Sequence, residues 1–169
     1  MKTLILGGAR SGKSQHAEAL AQASGKAVVY VATAPRFPED KEWQLRISTH
    51  EKQRPEHWEL LEEELSLISI LHSAKHEDKL VLVDCLTLWL SNVMFAKKDV
   101  ADETKQLCEA LADYSGDIVL VSNEVGMGLV AETKLGRSFC DAQGRLNQAV
   151  AKVADQVFFV AAGLPLQLK

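Results

Sequence analysis

Cysteines are few in this sequence, and long apolar runs are missing. The three cysteines, Cys85, Cys108 and Cys140, are far apart and contain no C-x-x-C pair, so they indicate neither a disulfide framework nor a zinc site. No apolar run reaches the roughly 18 residues of a membrane span, and the N-terminal apolar stretch is too short for a signal peptide. We therefore expect reduced core thiols and a cytoplasmic protein that does not bind a membrane.

An excess of positive charge is also missing. The chain has 19 Lys and Arg against 23 Asp and Glu, a net charge of −4, whereas partners of nucleic acid usually carry a basic surplus. We therefore expect no nucleic-acid partner. Repeats, low-complexity segments and Ser/Gly-rich linkers are absent as well, and 169 residues fit one core. The sequence predicts a single domain over residues 1–169.

Short apolar runs alternate with stretches of helical periodicity. Their Val, Ile and Leu content lacks polar alternation, which is typical of parallel strands covered on both faces. We predict such strands at 3–6, 27–32, 80–83, 117–121 and 156–161. Helices are predicted at 13–23, 38–48, 65–73, 86–96, 102–114 and 139–154. Pro165, within a short apolar alternation, favours an antiparallel edge strand at the C-terminus. The fold class is therefore α/β with a mostly parallel sheet.

An octapeptide after the first predicted strand matches the P-loop pattern G-x-x-x-x-G-K-[ST]. It consists of Gly7, Gly8, Ala9, Arg10, Ser11, Gly12, Lys13 and Ser14. In this pattern backbone N–H groups surround phosphate oxygens, the lysine reaches the β- and γ-phosphates, and the hydroxyl binds Mg²⁺. The alternative is a glycine-rich turn that binds nothing. The pattern predicts a nucleotide site with Lys13 as a catalytic group and Ser14 as a metal ligand.

Polar residues follow two other predicted strands. Asp84 ends the apolar run at 80–83, where a P-loop protein places its second magnesium ligand; a capping role for the next helix is the alternative. Asn123 and Glu124 follow the strand at 117–121. They belong either to a ligand site at the carboxyl edge of the sheet or to an ordinary glycine-containing turn.

The polar segment 33–58 contains three prolines and His50, which favours a functional loop or lid with one helix inside it. Residue 54 is arginine, so the segment lacks the second histidine of a zinc protease motif. Neutral imidazole is a competent nucleophile with a pKa near 6.5, but residue type alone leaves the role of His50 open. His72 and His76 are spaced i, i+4, and we interpret them as a solvent-exposed helix face.

Several motifs together resemble one family, the bifunctional adenosylcobinamide kinase/adenosylcobinamide-phosphate guanylyltransferases of cobalamin assembly. The resemblance runs nearly end to end. Besides the P-loop, it is carried by the segments 30–33, 46–58, 123–128 and 144–148. The most distinctive motifs are R-x-x-x-H-x-x-x-R-P, from Arg46 to Pro55, and N-E-V-G-M-G, from Asn123 to Gly128.

This resemblance implies a RecA-like, three-layer P-loop NTPase fold and two reactions. ATP or GTP phosphorylates adenosylcobinamide, and GMP from GTP is then transferred to adenosylcobinamide phosphate, which gives adenosylcobinamide-GDP and pyrophosphate. The family's guanylyl carrier is a histidine that matches His50. Some members have a second histidine just before it, where this chain has Thr49. The family also uses Mg²⁺ and assembles as a homotrimer.

The resemblance further implies a set of nucleotide contacts outside the P-loop. These fall on Ala32, Thr33, Ala34, Glu51, Lys52, Gln53, Arg54, Glu62 and Asp84. Two other classes of function fit the P-loop: an ordinary small-molecule kinase without a covalent intermediate, and a non-catalytic nucleotide switch. The kinase would transfer only the γ-phosphate, and the switch would bind nucleotide without turnover.

Overall fold

The computed structural model of the chain contains a seven-stranded sheet. It describes residues 1–37, 39–73, 76 and 78–169, except for the side chains of Arg46, His50, Lys52 and Gln53. The strands are β1 (Lys2–Gly7), β2 (Val28–Ala32), β3 (Glu59–Glu62), β4 (Leu80–Asp84), β5 (Asp117–Asn123), β6 (Gln156–Ala161) and β7 (Leu164–Gln167). Their order is β3-β2-β4-β5-β1-β6-β7. Every neighbouring pair is parallel except β6 and β7.

Six helices connect the strands over the described residues. They are α1 (Lys13–Ala23), α2 (Lys41–Gln53), α3 (Leu67–Leu71), α4 (Leu86–Phe95), α5 (Val100–Asp113) and α6 (Lys134–Val153). Side chains cap three of them. In α2 the Asp40 carboxylate accepts a hydrogen bond from Trp43 N, and in α5 the Asp99 carboxylate accepts one from Ala101 N. In α6 the Thr133 hydroxyl accepts a hydrogen bond from Gly136 N. None of the described helices is long and apolar enough to cross a membrane.

Alternate residues of the central strands face two separate cores. Leu4 and Leu120 lie on one face, which helices α3 to α6 cover. Ile5 and Val121 lie on the opposite face, against Ala17 of α1. Helices thus lie on both faces of the sheet, with β5 between β1 and β4. This arrangement confirms the predicted three-layer α/β fold, with a mostly parallel sheet and an antiparallel C-terminal edge strand.

Most predicted elements are confirmed, and the differences have physical causes. Strand β3 was missed because it is a short edge strand of two glutamates and two leucines, mostly exposed. Helix α2 runs from Lys41 to Gln53 rather than over 38–48, because Asp40 caps its first turn. It therefore includes the backbone of His50. Helix α6 begins at Lys134, five residues earlier than predicted, behind its Thr133 cap.

Two predictions, one about the histidines and one about the cysteines, need correction. His76 is buried, not solvent-exposed, and α3 ends at Leu71, so His72 and His76 do not form one helix face. The hydroxyl of Tyr114 donates to the main-chain oxygen of His76 at 3.1 Å. The three cysteines are free thiols, but only Cys85 is a core residue; Cys108 and Cys140 are half-buried.

Candidate active site

The P-loop connects β1 to α1 in a conformation that requires glycine at two positions. A Cβ atom on Gly7 would lie 2.6 Å from the main-chain oxygen of Val160, and Gly12 has a φ of +95°. Ser11 N donates to Gly8 O at 3.2 Å, and Gly163 N donates to Ser11 O at 2.8 Å. The loop is therefore closed on itself and held by the turn between β6 and β7.

The start of α1 is suited to an anion. Gly12 is its N-cap residue and offers no side chain to the first N–H groups of the helix, which carry partial positive charge. Nζ of Lys13 donates to Gly8 O at 3.1 Å, so the ammonium group lies across the same loop. These groups together form the arrangement that binds phosphates at helix N-termini.

Asp84 lies at the end of β4, and its carboxylate accepts a hydrogen bond from the Tyr30 hydroxyl at 3.1 Å. The alternative role, capping the next helix, is not observed: the N-cap residue of α4 is Cys85, and no side chain caps that helix. Burial, together with the charge of Asp84, raises the pKa of Tyr30. Tyr30 is therefore a stable hydrogen-bond donor to the carboxylate.

Glu18 is a second acidic residue near this site and was not among the predicted site residues. It lies on α1 one turn beyond Ser14, so the two side chains share a helix face. Burial raises the pKa of Glu18, and the negative charge of Asp84 raises it further, while Arg54 opposes the shift. The i, i+4 spacing from Ser14 was the available signal. Asp84, Glu18 and Arg54 are thus close enough to interact electrostatically.

Cys85 connects this acidic group to the P-loop. Burial, followed by the charge of Asp84, raises the pKa of its thiol to about 11, and the positive charge of Lys13 lowers it. The thiol is therefore neutral at pH 7 and is not a nucleophile. Cys85 belongs to the same buried core as Ala17 of α1, so the end of β4 lies beside the helix that follows the P-loop.

Arg54, the residue that follows α2, contacts the sheet beside Asp84. The guanidinium carbon of Arg54 lies 4.6 Å from the centroid of the Tyr30 ring, a cation–π contact. The Trp58 ring stacks on Tyr30 from a centroid distance of 6.5 Å. His50 lies one helical turn before Arg54. The side chains of His50, Lys52 and Gln53, all predicted site residues, lie outside the described part of the structure.

Arg36 brings together two of the predicted nucleotide contacts. Its Nη2 lies 3.0 Å from Oε1 of Glu51, and its Nε donates to Oε1 of Glu62 at 2.9 Å. Hydrogen bonds to Glu62 and then to Glu51 raise the pKa of the guanidinium. Arg36 was not among the predicted site residues, because its only signal in the sequence was its place in the proline-containing segment. Exposed ion pairs contribute little stability, but the two ion pairs of Arg36 together link Glu51 of α2 to Glu62 of β3.

Thr33 ties the end of β2 to the end of β4. Its side chain is fully buried; Oγ1 accepts from Cys85 N at 2.8 Å and donates to Cys85 O at 2.7 Å. The peptide bond between Asp84 and Cys85 is cis. Ala32 ends β2, and Ala34 follows Thr33. This part of the predicted site therefore lies directly beside Asp84.

The end of β5 lies beside the P-loop. Asn123 is paired with Gly7, and Glu124 N donates to Gly7 O at 3.0 Å. The carboxylate of Glu124 accepts from the N–H groups of Gly126 and Met127, so the turn-forming alternative is correct for Glu124. Oδ1 of Asn123 is buried and has no hydrogen-bond partner within the described residues. An unpaired buried acceptor beside a P-loop favours a site role for Asn123.

Ser14 and Asp84 have the chemistry of magnesium ligands. Both supply oxygen, the ligand atom that Mg²⁺ requires, and this ion is usually held by one or two protein groups together with substrate phosphates. Over the described residues, no three His, Cys, Asp or Glu side chains are grouped closely enough to hold a metal. The two residues fit a site that the phosphates of a nucleotide complete.

The family model described as cobinamide kinase/cobinamide phosphate guanyltransferase matches residues 3–168. The chain belongs to this family. Its members are bifunctional transferases, so the recognition and the enzyme class predicted from the sequence are confirmed.

Two family members show how far the similarity extends. The bifunctional adenosylcobalamin biosynthesis protein CobP of Pseudomonas aeruginosa is 47% identical, over 100% of this chain and 98% of the relative. The bifunctional adenosylcobalamin biosynthesis protein CobU of Escherichia coli is 38% identical, over 100% of both chains. The similarity therefore extends over the whole chain.

Solved structures show the fold alone. A Pyrococcus horikoshii protein, PH0250, superimposes with a TM-score of 0.53 at 9% identity, over 99% of this chain and 85% of the other. The RadB recombinase gives a TM-score of 0.48 at 16% identity, over 93% and 72% of the two chains.

Proposed function

We propose that this chain phosphorylates adenosylcobinamide with ATP or GTP and then transfers GMP from GTP to adenosylcobinamide phosphate through a covalent guanylyl-His50. Family membership supports both activities. The observation that carries the covalent step is the contact of Arg54 with Tyr30 beside Asp84. It supports this step, because Arg54 lies one helical turn after His50 and contacts a strand of the sheet that also carries the P-loop.

The kinase step is an in-line transfer of the γ-phosphoryl group. The acceptor hydroxyl oxygen attacks the γ-phosphorus, the bond to the β–γ bridging oxygen breaks, and the hydroxyl loses its proton. Lys13 and the N–H groups of the P-loop stabilise the charge on the phosphate oxygens. Bound at Ser14 and Asp84, Mg²⁺ would neutralise part of that charge. The leaving group is the nucleoside diphosphate.

The guanylyltransferase step uses the same loop for a different bond. A neutral imidazole nitrogen of His50 attacks the α-phosphorus of GTP, and the P–N bond forms as the bond to the α–β bridging oxygen breaks. The P-loop then holds pyrophosphate as the leaving group. A phosphate oxygen of adenosylcobinamide phosphate attacks the α-phosphorus next, and the P–N bond breaks. The product is adenosylcobinamide-GDP, and His50 is regenerated.

The remaining site residues are proposed as contacts of the nucleotide. They are Gly7, Gly8, Ala9, Arg10, Ser11 and Gly12 of the P-loop, together with Ala32, Thr33, Ala34, Glu51, Lys52, Gln53, Arg54 and Glu62. Arg36 joins Glu51 to Glu62, and we expect it to set their spacing at the nucleotide.

Labelling with GTP tests the covalent step directly. We expect α-labelled GTP with Mg²⁺ to leave an acid-labile, base-stable label on the wild-type protein, as a phosphoramidate does, and γ-labelled GTP to leave none. His50→Ala should abolish the label. His57→Ala is the matched control, because His57 is exposed and lies outside α2, and it should keep full labelling.

The same experiment separates the rival functions. A label that persists in His50→Ala would refute the assignment of His50. An unlabelled wild-type protein that still phosphorylates adenosylcobinamide would indicate an ordinary P-loop kinase. Tight binding of nucleotide without either reaction would indicate a nucleotide switch.

We also propose that the chain acts as one catalytic domain, in the cytoplasm, as a homotrimer without a nucleic-acid partner. The family resemblance supports the trimer, and the net charge of −4 supports the absence of nucleic acid. Sedimentation of the purified protein measures its oligomeric state.

A further inference from the structure

The loop between β5 and α6, residues 124–133, exposes an unusual amount of apolar surface. The exposed fractions are 79% for Met127, 99% for Leu129 and 82% for Val130. Single exposed apolar residues are common, but several within four positions indicate a binding surface. We call this segment the β5–α6 loop.

Hydrogen bonds at both ends hold the β5–α6 loop in one shape. At its beginning, the Glu124 carboxylate accepts from Gly126 N at 2.8 Å and from Met127 N at 3.0 Å. At its end, Nη1 of Arg137 donates to Ala131 O at 2.9 Å and to Glu132 O at 2.7 Å. Both ends of the loop that carries the exposed apolar side chains are therefore fixed by hydrogen bonds.

The β5–α6 loop begins at the P-loop. Glu124 N donates to Gly7 O at 3.0 Å. The turn between β6 and β7 contacts the P-loop from the other side, where Gly163 N donates a hydrogen bond to Ser11 O. A phosphoryl acceptor must bring its hydroxyl to about 3–3.5 Å from the reacting phosphorus. Its body must therefore rest on a surface near the P-loop, and the β5–α6 loop begins beside the P-loop at Glu124.

A shallow cavity of about 270 Å³ lies between this loop and α6. Leu129, Val130 and Ala131 line it together with the polar side chains of Arg137 and Asp141. The corrin ring of cobinamide has methyl groups and amide side chains at its periphery, so a lining of mixed polarity matches it. The cavity is smaller than a pocket for a whole small molecule, and it would receive one edge of the ring.

We propose that the β5–α6 loop binds the corrin ring of adenosylcobinamide and of its phosphate, with Leu129 and Val130 in contact with the ring. This inference rests on the proposed function, because it takes the acceptor from there. The loop's continuity with the P-loop and the mixed lining favour the acceptor over a second copy of the chain.

Acceptor binding can be measured apart from turnover. Equilibrium dialysis of adenosylcobinamide, followed by its visible absorbance, gives a dissociation constant for wild type and for the double variant Leu129→Ser/Val130→Ser. We expect the constant to rise about tenfold or more, since two apolar side chains lose their contacts. Covalent labelling by α-labelled GTP should stay within about twofold, because that step precedes acceptor transfer. Phe95→Ser, on an exposed residue at the far end of α4, should change neither quantity.

Each other outcome has a definite meaning. Wild-type affinity for adenosylcobinamide in the double variant overturns the inference, and so does an equal loss of GTP labelling, which indicates a damaged nucleotide site. A changed sedimentation coefficient with unchanged acceptor affinity identifies a subunit interface instead. If the wild type binds adenosylcobinamide without reacting, the proposed function fails while the dissociation constants still decide this inference. If it does not bind at all, both fail.

Discussion

Replacing Thr33 by valine tests how the end of β2 holds the end of β4. Valine has almost the same shape as threonine but no hydroxyl, so the substitution removes both hydrogen bonds to Cys85 from a fully buried position. Asp84 immediately precedes Cys85. The loss should therefore affect the free energy of unfolding and the position of the proposed magnesium ligand.

The two lost bonds have unequal consequences. Cys85 O also accepts from Trp89 N at 3.2 Å, so it keeps a partner. Cys85 N has the Thr33 hydroxyl as its acceptor at 2.8 Å and is left unpaired in the interior, at a cost of about 1–3 kcal/mol. We expect Thr33→Val to lower the free energy of unfolding by about 2 kcal/mol. For a chain of this length, that corresponds to a fall of about 4–8 °C in Tm.

Urea denaturation at pH 7 measures the change. Thr33→Ser is the matched control, because it keeps the hydroxyl and loses one methyl group, for which we expect a loss of about 1 kcal/mol. The hydroxyl argument requires serine to be better tolerated than valine. A Thr33→Val protein as stable as wild type, or more stable than Thr33→Ser, would refute it.

Two further predictions concern the nucleotide site. Gly12→Ala places a side chain at a φ of +95° and a Cβ 3.1 Å from Gly163 Cα. The left-handed conformation costs about 1–2 kcal/mol, so the free energy of unfolding should fall by about that amount, as urea denaturation would show; unchanged stability would contradict it. Glu18→Gln should stabilise the protein at pH 7.5. The raised pKa of Glu18 means that the folded state holds its proton more tightly, so stability falls as pH rises from about 4.3. The stability difference between Glu18→Gln and wild type, measured in urea, should therefore grow between pH 4.5 and pH 7.5. The exposed Glu109→Gln serves as control, and a less stable Glu18→Gln at pH 7.5 would contradict the reasoning.

Elements with strong local signals were predicted closely. Helix α1 and strand β6 have the predicted bounds, because a P-loop and an apolar run are visible within a few residues. Strand β3 was missed, since an exposed edge strand need not be apolar. His76 was misplaced because its burial is a tertiary feature, and one of its contacts, the Tyr114 hydroxyl, lies 38 positions away. The role of Glu124 was left open, since only the loop's shape shows which N–H groups its carboxylate meets.

The sequence by itself determined the phosphate loop, the parallel strands and the family, because each depends on residue types at short and regular spacing. Only the tertiary structure decided which distant residues meet at the edge of the sheet. Tyr30 and Asp84 are 54 positions apart and form a hydrogen bond, and Arg36 joins Glu51 to Glu62. Such contacts follow from the order of the strands. That order places β2 beside β4 and β5 beside β1, so polar groups from separate parts of the chain converge around one P-loop.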